Sequence, residues 1–302
     1  MHVVDAVTTV ERCRALVAVA FPGIDVGRVA PLGAGWDGTA FTVGDRLVFR
    51  FPRRAEVAAR LRVEVALLAE LGPALPLPVP RPDHVAPGAL DFPWTFAGYP
   101  LLRGVPLDAV ALDDPAIGRV ADDLGRFLAA LHRFPADRAA ALGVPAFTPE
   151  RWVERTAALW ERALPVVAVR LGDERAARLD GAWRARLADR RLLDFTPVLV
   201  HGDLALEHVL VDPESGRVGG VIDFTDAMVA DPALDYAGLP EALARRVQAA
   251  SGESGGASFW ARWAFCRAAT PLHAVLAGRQ LGRDDLLEEG LARLDRQAAG
   301  GG

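Results

Sequence analysis

The chain has 302 residues and a net charge of −5, with 51% hydrophobic and 24% charged residues. That is enough for one large domain or two lobes with real cores. It is too apolar for a disordered protein and lacks the basic field of a nucleic-acid binder. No apolar run reaches about 18 residues, and Met1–Asp5 lacks a basic-then-apolar leader, so a cytoplasmic location with no membrane partner is expected. Cys13 and Cys266 read as two buried thiols. The chain contains no Lys and no Asn; all 34 basic residues are Arg. Any role usually given to Lys or Asn must fall to another side chain.

Apolar residues at helical spacing predict a helix over 5–20. Strands are predicted at Val26–Leu32, Thr39–Val43 and Leu47–Phe51, with the glycine-rich turn Gly33-Ala34-Gly35-Trp36-Asp37-Gly38 between the first two. A helix follows over Ala55–Leu71, striped by Leu61, Val65, Leu68 and Leu71. Prolines from Pro73 to Pro82 hold the next stretch extended, and Phe92–Tyr99 reads as a further strand. A connector at Pro100–Gly104 marks a change in composition, strand-rich before and helix-rich after. Helices are predicted at Pro115–His132, Pro149–Leu164, Glu174–Leu192, Pro240–Ala250, Ala257–Ala277 and Arg283–Gln297, and Gly300–Gly302 as a disordered tail. The pattern is α+β, with a first part at 1–100 and a second at 101–302.

The chemistry concentrates at Val200–Asp212 and Gly220–Asp226, read as strand, tight loop, strand, turn, strand. Asp203, two residues after His201, stands on a loop leaving an apolar strand, where a carboxylate can orient a hydroxyl or take its proton. Asp223 ends the strand Gly220-Val221-Ile222 as a hard oxygen ligand suited to Mg²⁺. One hairpin spans the 20 residues between them and brings both acids to neighbouring strand ends. His208 is a candidate metal ligand, whereas His201 reads as a structural ring that braces the loop. Asp231 and Asp235 read as helix-start and loop-bracing acids, and Glu207 and Asp226 as loop acids able to face a substrate. Gly33 and Gly35 can bring backbone N–H groups to phosphates. Arg50 and Glu64 can pair to steer them.

Together these segments resemble the aminoglycoside and macrolide phosphotransferases, relatives of the eukaryotic protein kinases. The resemblance runs from about Leu32 to Leu294 and is strongest at 201–208 and Ile222-Asp223. It implies a bilobal protein-kinase-like fold. A small lobe would carry an antiparallel sheet plus a helix and bind nucleotide; a larger, mainly helical lobe would carry the catalytic loop and substrate helices. It implies transfer of the γ-phosphate of ATP or GTP to a hydroxyl of an antibiotic, aminoglycoside ahead of macrolide, with Mg²⁺ or Mn²⁺. Asp203 would be catalytic, and Asp223 and His208 would hold the metal, with His208 where most relatives carry Asn. Arg50 stands where relatives carry a phosphate-gripping Lys, and the two side chains differ in geometry. Backbone at Ala97, Tyr99 and Leu101 would meet the base. Glu207, Asp226, Asp231 and Glu241 would face the substrate, with Trp260, Trp263 and Phe265 as apolar candidates that read first as core. A metabolic small-molecule kinase, a non-catalytic kinase-like module, and a metal hydrolase built on His201, Asp203, His208 and Asp223 remain alternatives.

Overall fold

The computed structural model describes residues 7–35 and 37–298. Trp36 of the glycine turn, residues 1–6 and the glycine tail lie outside them.

Apolar strands, most of their residues buried, make the first sheet. It contains β1 (Val29–Ala34), β2 (Gly38–Val43), β3 (Leu47–Pro52), β4 (His84–Ala86) and β5 (Phe96–Pro100), all antiparallel, in the order β1-β2-β3-β5-β4. Gly44 and Asp45 take positive φ (60° and 55°), which closes the β2–β3 hairpin tightly. Helix α1 (Val10–Ala20), capped by the Thr9 hydroxyl, lays Cys13, Leu16 and Val17 against Phe41, Phe49, Phe51 and Phe96. The strand expected from Phe92 begins only at Phe96. Ala89 and Phe92 exchange backbone hydrogen bonds in a turn, and Pro93 follows with no N–H to donate.

Helix α2 (Ala55–Leu71) follows β3, and its C-terminal half packs away from that sheet. Leu67, Leu68 and Leu71 join the core of the larger half, beside Val120, Leu124 and Phe127. This fixes the rotation of α2 and turns Glu64 toward the junction between the halves.

The larger half contains β6 (Val105–Pro106), α3 (Asp114–Leu131), α4 (Ala136–Ala141), α5 (Pro149–Leu171) and α6 (Asp173–Leu187). Then come β7 (Val198–Val200), β8 (Val209–Asp212), β9 (Arg217–Val221) and β10 (Met228–Ala230). Helices α7 (Leu234–Ala237), α8 (Glu241–Ser251), α9 (Ala257–Leu281) and α10 (Asp284–Ala298) close the chain. Asp113 and Thr148 cap α3 and α5, each just ahead of a proline in the first turn. Helix α5 runs seven residues beyond its expected end at Leu164 and carries Pro165 inside it. An interior proline costs roughly 3 kcal/mol, offset here by Val166 and Val167 packing with Trp183 and Leu272. Strands β6, β8 and β9 form one small sheet, while β7 pairs with β10 instead of joining the hairpin. The result is the expected α+β, bilobal arrangement. Among the described residues, no helix is long and apolar enough to cross a membrane.

Candidate active site

The loop after β7 is held from beneath. Asp235, fully buried, accepts hydrogen bonds from the His201 and Gly202 backbone N–H groups, each at 3.0 Å, and contacts His132 Nε2 at 3.0 Å. The His201 ring donates from Nε2 to the Ile222 carbonyl (3.0 Å) and accepts the Asp203 N–H at Nδ1 (3.3 Å). Burial keeps this imidazole neutral by pushing its pKa down. Both ring nitrogens are engaged, so His201 is no metal ligand, and the hydrolase alternative loses a member of its set. Gly202 has φ of 87°, and a Cβ there would strike the Asp226 carbonyl oxygen, so only glycine fits. These constraints turn Asp203 outward, its side chain 57% exposed. His208 donates from Nδ1 to the Asp203 carbonyl (2.7 Å), which leaves Nε2 with its lone pair.

The β8–β9 hairpin returns the chain to the same place, where the Ile222 N–H meets the His208 carbonyl at 3.0 Å. Asp223 follows in the left-handed region (φ 67°), a conformation rarely adopted by non-glycine residues and concentrated at functional sites. Its Oδ1 receives Arg50 Nη2 at 2.9 Å and the Thr225 hydroxyl at 2.7 Å. Arg50 Nη1 also grips both oxygens of Glu64, at 2.8 and 3.1 Å. Thr225 sits inside this group, accepting from Arg50 Nη2 (2.8 Å) and 3.0 Å from Glu64 Oε2. Thr225 was not singled out in the sequence, because its role depends on a side chain contributed by the other lobe.

The charges follow from burial and pairing. Burial pushes the Glu64 pKa up, against the pull of Arg50. Burial also opposes ionisation of Asp223, but the Arg50 guanidinium, the Thr225 hydroxyl and the two nearby imidazoles together outweigh it and hold the carboxyl well below its usual range. Arg50 remains charged, since Glu64 and Asp223 more than offset its own burial. Asp203 is pushed up to about 6, first by the protein around it and then by Asp226 and Asp223, while His208 pulls it down.

A second ionic link lies above this group. Arg60 of α2 reaches Asp37 of the glycine turn (2.5 Å) and Asp226 (2.6 Å), and Arg54 also holds Asp37 at 2.7 Å. A Cβ on Gly33 or Gly35 would meet open space. Among the described residues, packing demands neither glycine.

Three expectations need correction. Ala97 and Tyr99 lie within β5, not beyond it, and the Leu101 N–H is taken by the Arg46 carbonyl at 2.8 Å. Antiparallel alternation turns the polar groups of all three toward β3. The groups facing the other side, past the last β4 pair His84↔Gly98, are the Pro100 carbonyl and the Leu102 backbone. The parity of the ladder is not written in composition. Asp231 does not line a substrate wall: it is 1% exposed and bound to Arg262 and the Ala233 N–H. Glu241 starts α8 and is paired with Arg245 one turn on. Of the remaining acids, Glu207 is exposed beside Asp203, and Asp226 carries Arg60. Trp263 and Phe265 are core; Trp260 is half-buried beneath Arg245.

Among the described residues, no group of three His, Cys, Asp or Glu side chains can enclose a metal ion. Two donors stay outside the bonds above, Asp223 Oδ2 and His208 Nε2. The arrangement therefore offers an exposed carboxylate on a braced loop, a second carboxylate at a strained turn, and an arginine–glutamate pair closing over both.

Known proteins share this architecture. A GDP complex of wild-type aminoglycoside 2'-phosphotransferase-IIIa superposes with a TM-score of 0.86 at 27% identity, covering 97% of this chain and 99% of that one. The macrolide 2'-phosphotransferase MphH from Brachybacterium faecium gives a TM-score of 0.70 at 28% identity over 94% and 97%. In sequence, the chain is 27% identical to viomycin phosphotransferase of Streptomyces vinaceus over 94% of this chain and 98% of that protein. It is 30% identical to the uncharacterised protein YcbJ of Bacillus subtilis (strain 168), where the match spans 63% of this chain and 60% of YcbJ. The model of the phosphotransferase enzyme family, APH, matches residues 28–282, and the chain belongs to that family of kinase-like phosphotransferases.

Proposed function

We propose that this enzyme transfers the γ-phosphoryl group of ATP or GTP to a hydroxyl of a small-molecule antibiotic or a related hydroxyl compound, in the cytoplasm. The observation that carries the reading is the convergence of an exposed, braced Asp203 with Asp223 and the Arg50–Glu64 pair. Nucleotide lies between a lobe ending near residue 100 and the larger lobe. Its phosphates lie under Gly33 and Gly35, and its base meets the Pro100 carbonyl and the Leu102 backbone. Asp203 accepts a hydrogen bond from the acceptor hydroxyl and takes its proton as the new P–O bond forms. The bond from the γ-phosphorus to the β–γ bridging oxygen breaks, and nucleoside diphosphate leaves. The transition state is loose, so positioning and neutralisation of charge supply most of the rate. Arg50 holds phosphate oxygens with its planar fork.

Asp223 Oδ2 and His208 Nε2 fit Mg²⁺ as a pair of protein donors, because such an ion takes few protein ligands and completes its shell with phosphate oxygens and water; Mn²⁺ tolerates the imidazole better. When bound, the ion would neutralise the nucleotide's phosphates. The names of the relatives support an antibiotic acceptor of the aminoglycoside, macrolide or viomycin type. The occupied acids, Asp226, Asp231 and Glu241, favour the metabolic small-molecule kinase as the second reading.

The test measures nucleoside diphosphate release with both nucleotides across an antibiotic panel and a set of polyols. Acceptor-dependent release that disappears in Asp203→Asn is expected. Release that is unchanged in that variant sinks the proposal.

A further inference from the structure

Directly after Asp223 the chain makes one short turn, Phe224–Asp226, anchored by its first residue. The Phe224 ring is buried, its centroid 4.6 Å from that of His201 and 6.4 Å from that of Phe127. With Phe224 committed to the larger lobe's core, the next side chain, Thr225, meets the smaller lobe. Thr225 is 9% exposed, and its hydroxyl oxygen touches three charged groups. Arg50 Nη2 donates to it at 2.8 Å; Asp223 Oδ1 lies 2.7 Å away and Glu64 Oε2 3.0 Å away. A hydroxyl has one proton to give. It serves one carboxylate at a time, and the shorter contact falls to Asp223. Arg50 Nη2 reaches the same Oδ1 at 2.9 Å, and the Thr225 N–H approaches it at 3.4 Å. Donors thus gather on one oxygen of Asp223, and Oδ2 is left outside them.

The last torsion of an aspartate is broad and roughly two-fold, so the side chain alone does not choose which oxygen faces the cleft. Neighbouring hydrogen bonds make that choice for carboxylates that ligate metals. We infer that Thr225 is a positioning residue: its hydroxyl pins Asp223 Oδ1 and so keeps Oδ2 free for a divalent cation. This rests on the kinase reading and gives a part in it to a side chain that does not itself react. The pin is shared between the lobes. Arg50 and Glu64 come from β3 and α2, Asp223 and Thr225 from the chain after β9, so Oδ2 is set only where the lobes meet. Without the hydroxyl, Asp223 depends on an Arg50 that also serves Glu64.

The test measures Mn²⁺ binding to the full chain by electron paramagnetic resonance, with ADP and then GDP present. Thr225→Val keeps the branched shape and removes the hydroxyl; Thr225→Ser keeps the hydroxyl. Thr225→Val should weaken Mn²⁺ binding about 10–100-fold, the range for loss of a group that orients a metal ligand. Its affinity for nucleotide without metal should be unchanged, and Thr225→Ser should bind Mn²⁺ nearly as wild type does. Equal Mn²⁺ affinity in Thr225→Val and wild type overturns the inference. So does equal weakening in Thr225→Ser, or an equal loss of metal-free nucleotide binding, which would trace the effect to Arg50. Thr225→Ala gives the same comparison where Thr225→Val does not fold. Unfolding of both overturns the inference, since the residue would then hold the fold, and so does a wild type that binds no Mn²⁺ with either nucleotide. The readout needs no turnover; the kinase reading fails separately, on diphosphate release.

Discussion

The catalytic loop and the glycine turn face each other across the site but are held in opposite ways. The loop is fixed by buried, short-range bonds: Asp235 under two backbone N–H groups and beside His132, His201 between Ile222 and Asp203, and a glycine that admits no Cβ. The turn is fixed by ion pairs at the partly exposed Asp37, held by Arg60, which solvent reaches, and by Arg54, which is mostly buried. Buried bonds are costly to break and give one geometry. Exposed ion pairs contribute little and exchange readily. On the proposed function, the carboxylate aimed at a hydroxyl is thus built rigid, and the turn that would cover nucleotide is built to yield.

The largest effect should come at the aimed carboxylate itself. Asp203→Asn should lower kcat by about 10²–10⁴, the range for loss of a positioned base, with a melting temperature near wild type; steady-state diphosphate release checks this. Next, Asp235→Ala leaves two buried N–H groups and His132 without their partner. It should cost about 3–5 kcal/mol in urea unfolding, the sum of buried donors left unpaired at roughly 1–3 kcal/mol each, and should lower kcat as the loop loosens. Arg60→Ala should cost less than about 1 kcal/mol yet raise the nucleotide KM several-fold by freeing the turn. Equal destabilisation by Arg60→Ala and Asp235→Ala would erase the contrast between the two regions.

The smallest effect is a titration. Burial, then Arg155 and Arg162, hold the His273 imidazole down at about 4, against an ordinary 6.5. Its folded pKa is depressed, so the unfolded chain binds more protons between these values. The contribution of His273 to stability is whole above about pH 6.5 and fades as pH falls toward 4, screened in part because the ring is exposed. NMR titration of the ring should show a midpoint near 4, moving upward in Arg155→Glu.

Much of this was legible in the sequence, for reasons that differ by element. Helix α2 is a long amphipathic stripe, and its predicted bounds match the observed Ala55–Leu71. The hairpin joining Asp203 to Asp223 could be read because its pairing is local. Strand β10 could not: three residues give no period, and its partner β7 lies 28 positions back. Strands β4 and β6 and helices α4 and α7 are short for the same kind of signal. In the site, spacing marked Asp203 with Asp223 and Arg50 with Glu64 as two pairs and the family resemblance joined them, but Thr225 and Arg60 enter the group only when the lobes meet. The acid Asp231 was misjudged because a carboxylate looks the same in sequence whether or not a buried arginine holds it. The backbone groups of Ala97, Tyr99 and Leu101 face β3, because each step along a strand reverses the side that a backbone group faces.

Helix α2 follows the first three strands in sequence but buries its C-terminal leucines with the second lobe. A shortened protein ending near residue 100 would leave Leu67, Leu68 and Leu71 uncovered in water. Such a fragment should clump during expression, whereas a cut in the exposed stretch Ser254–Gly256 would leave that seam intact.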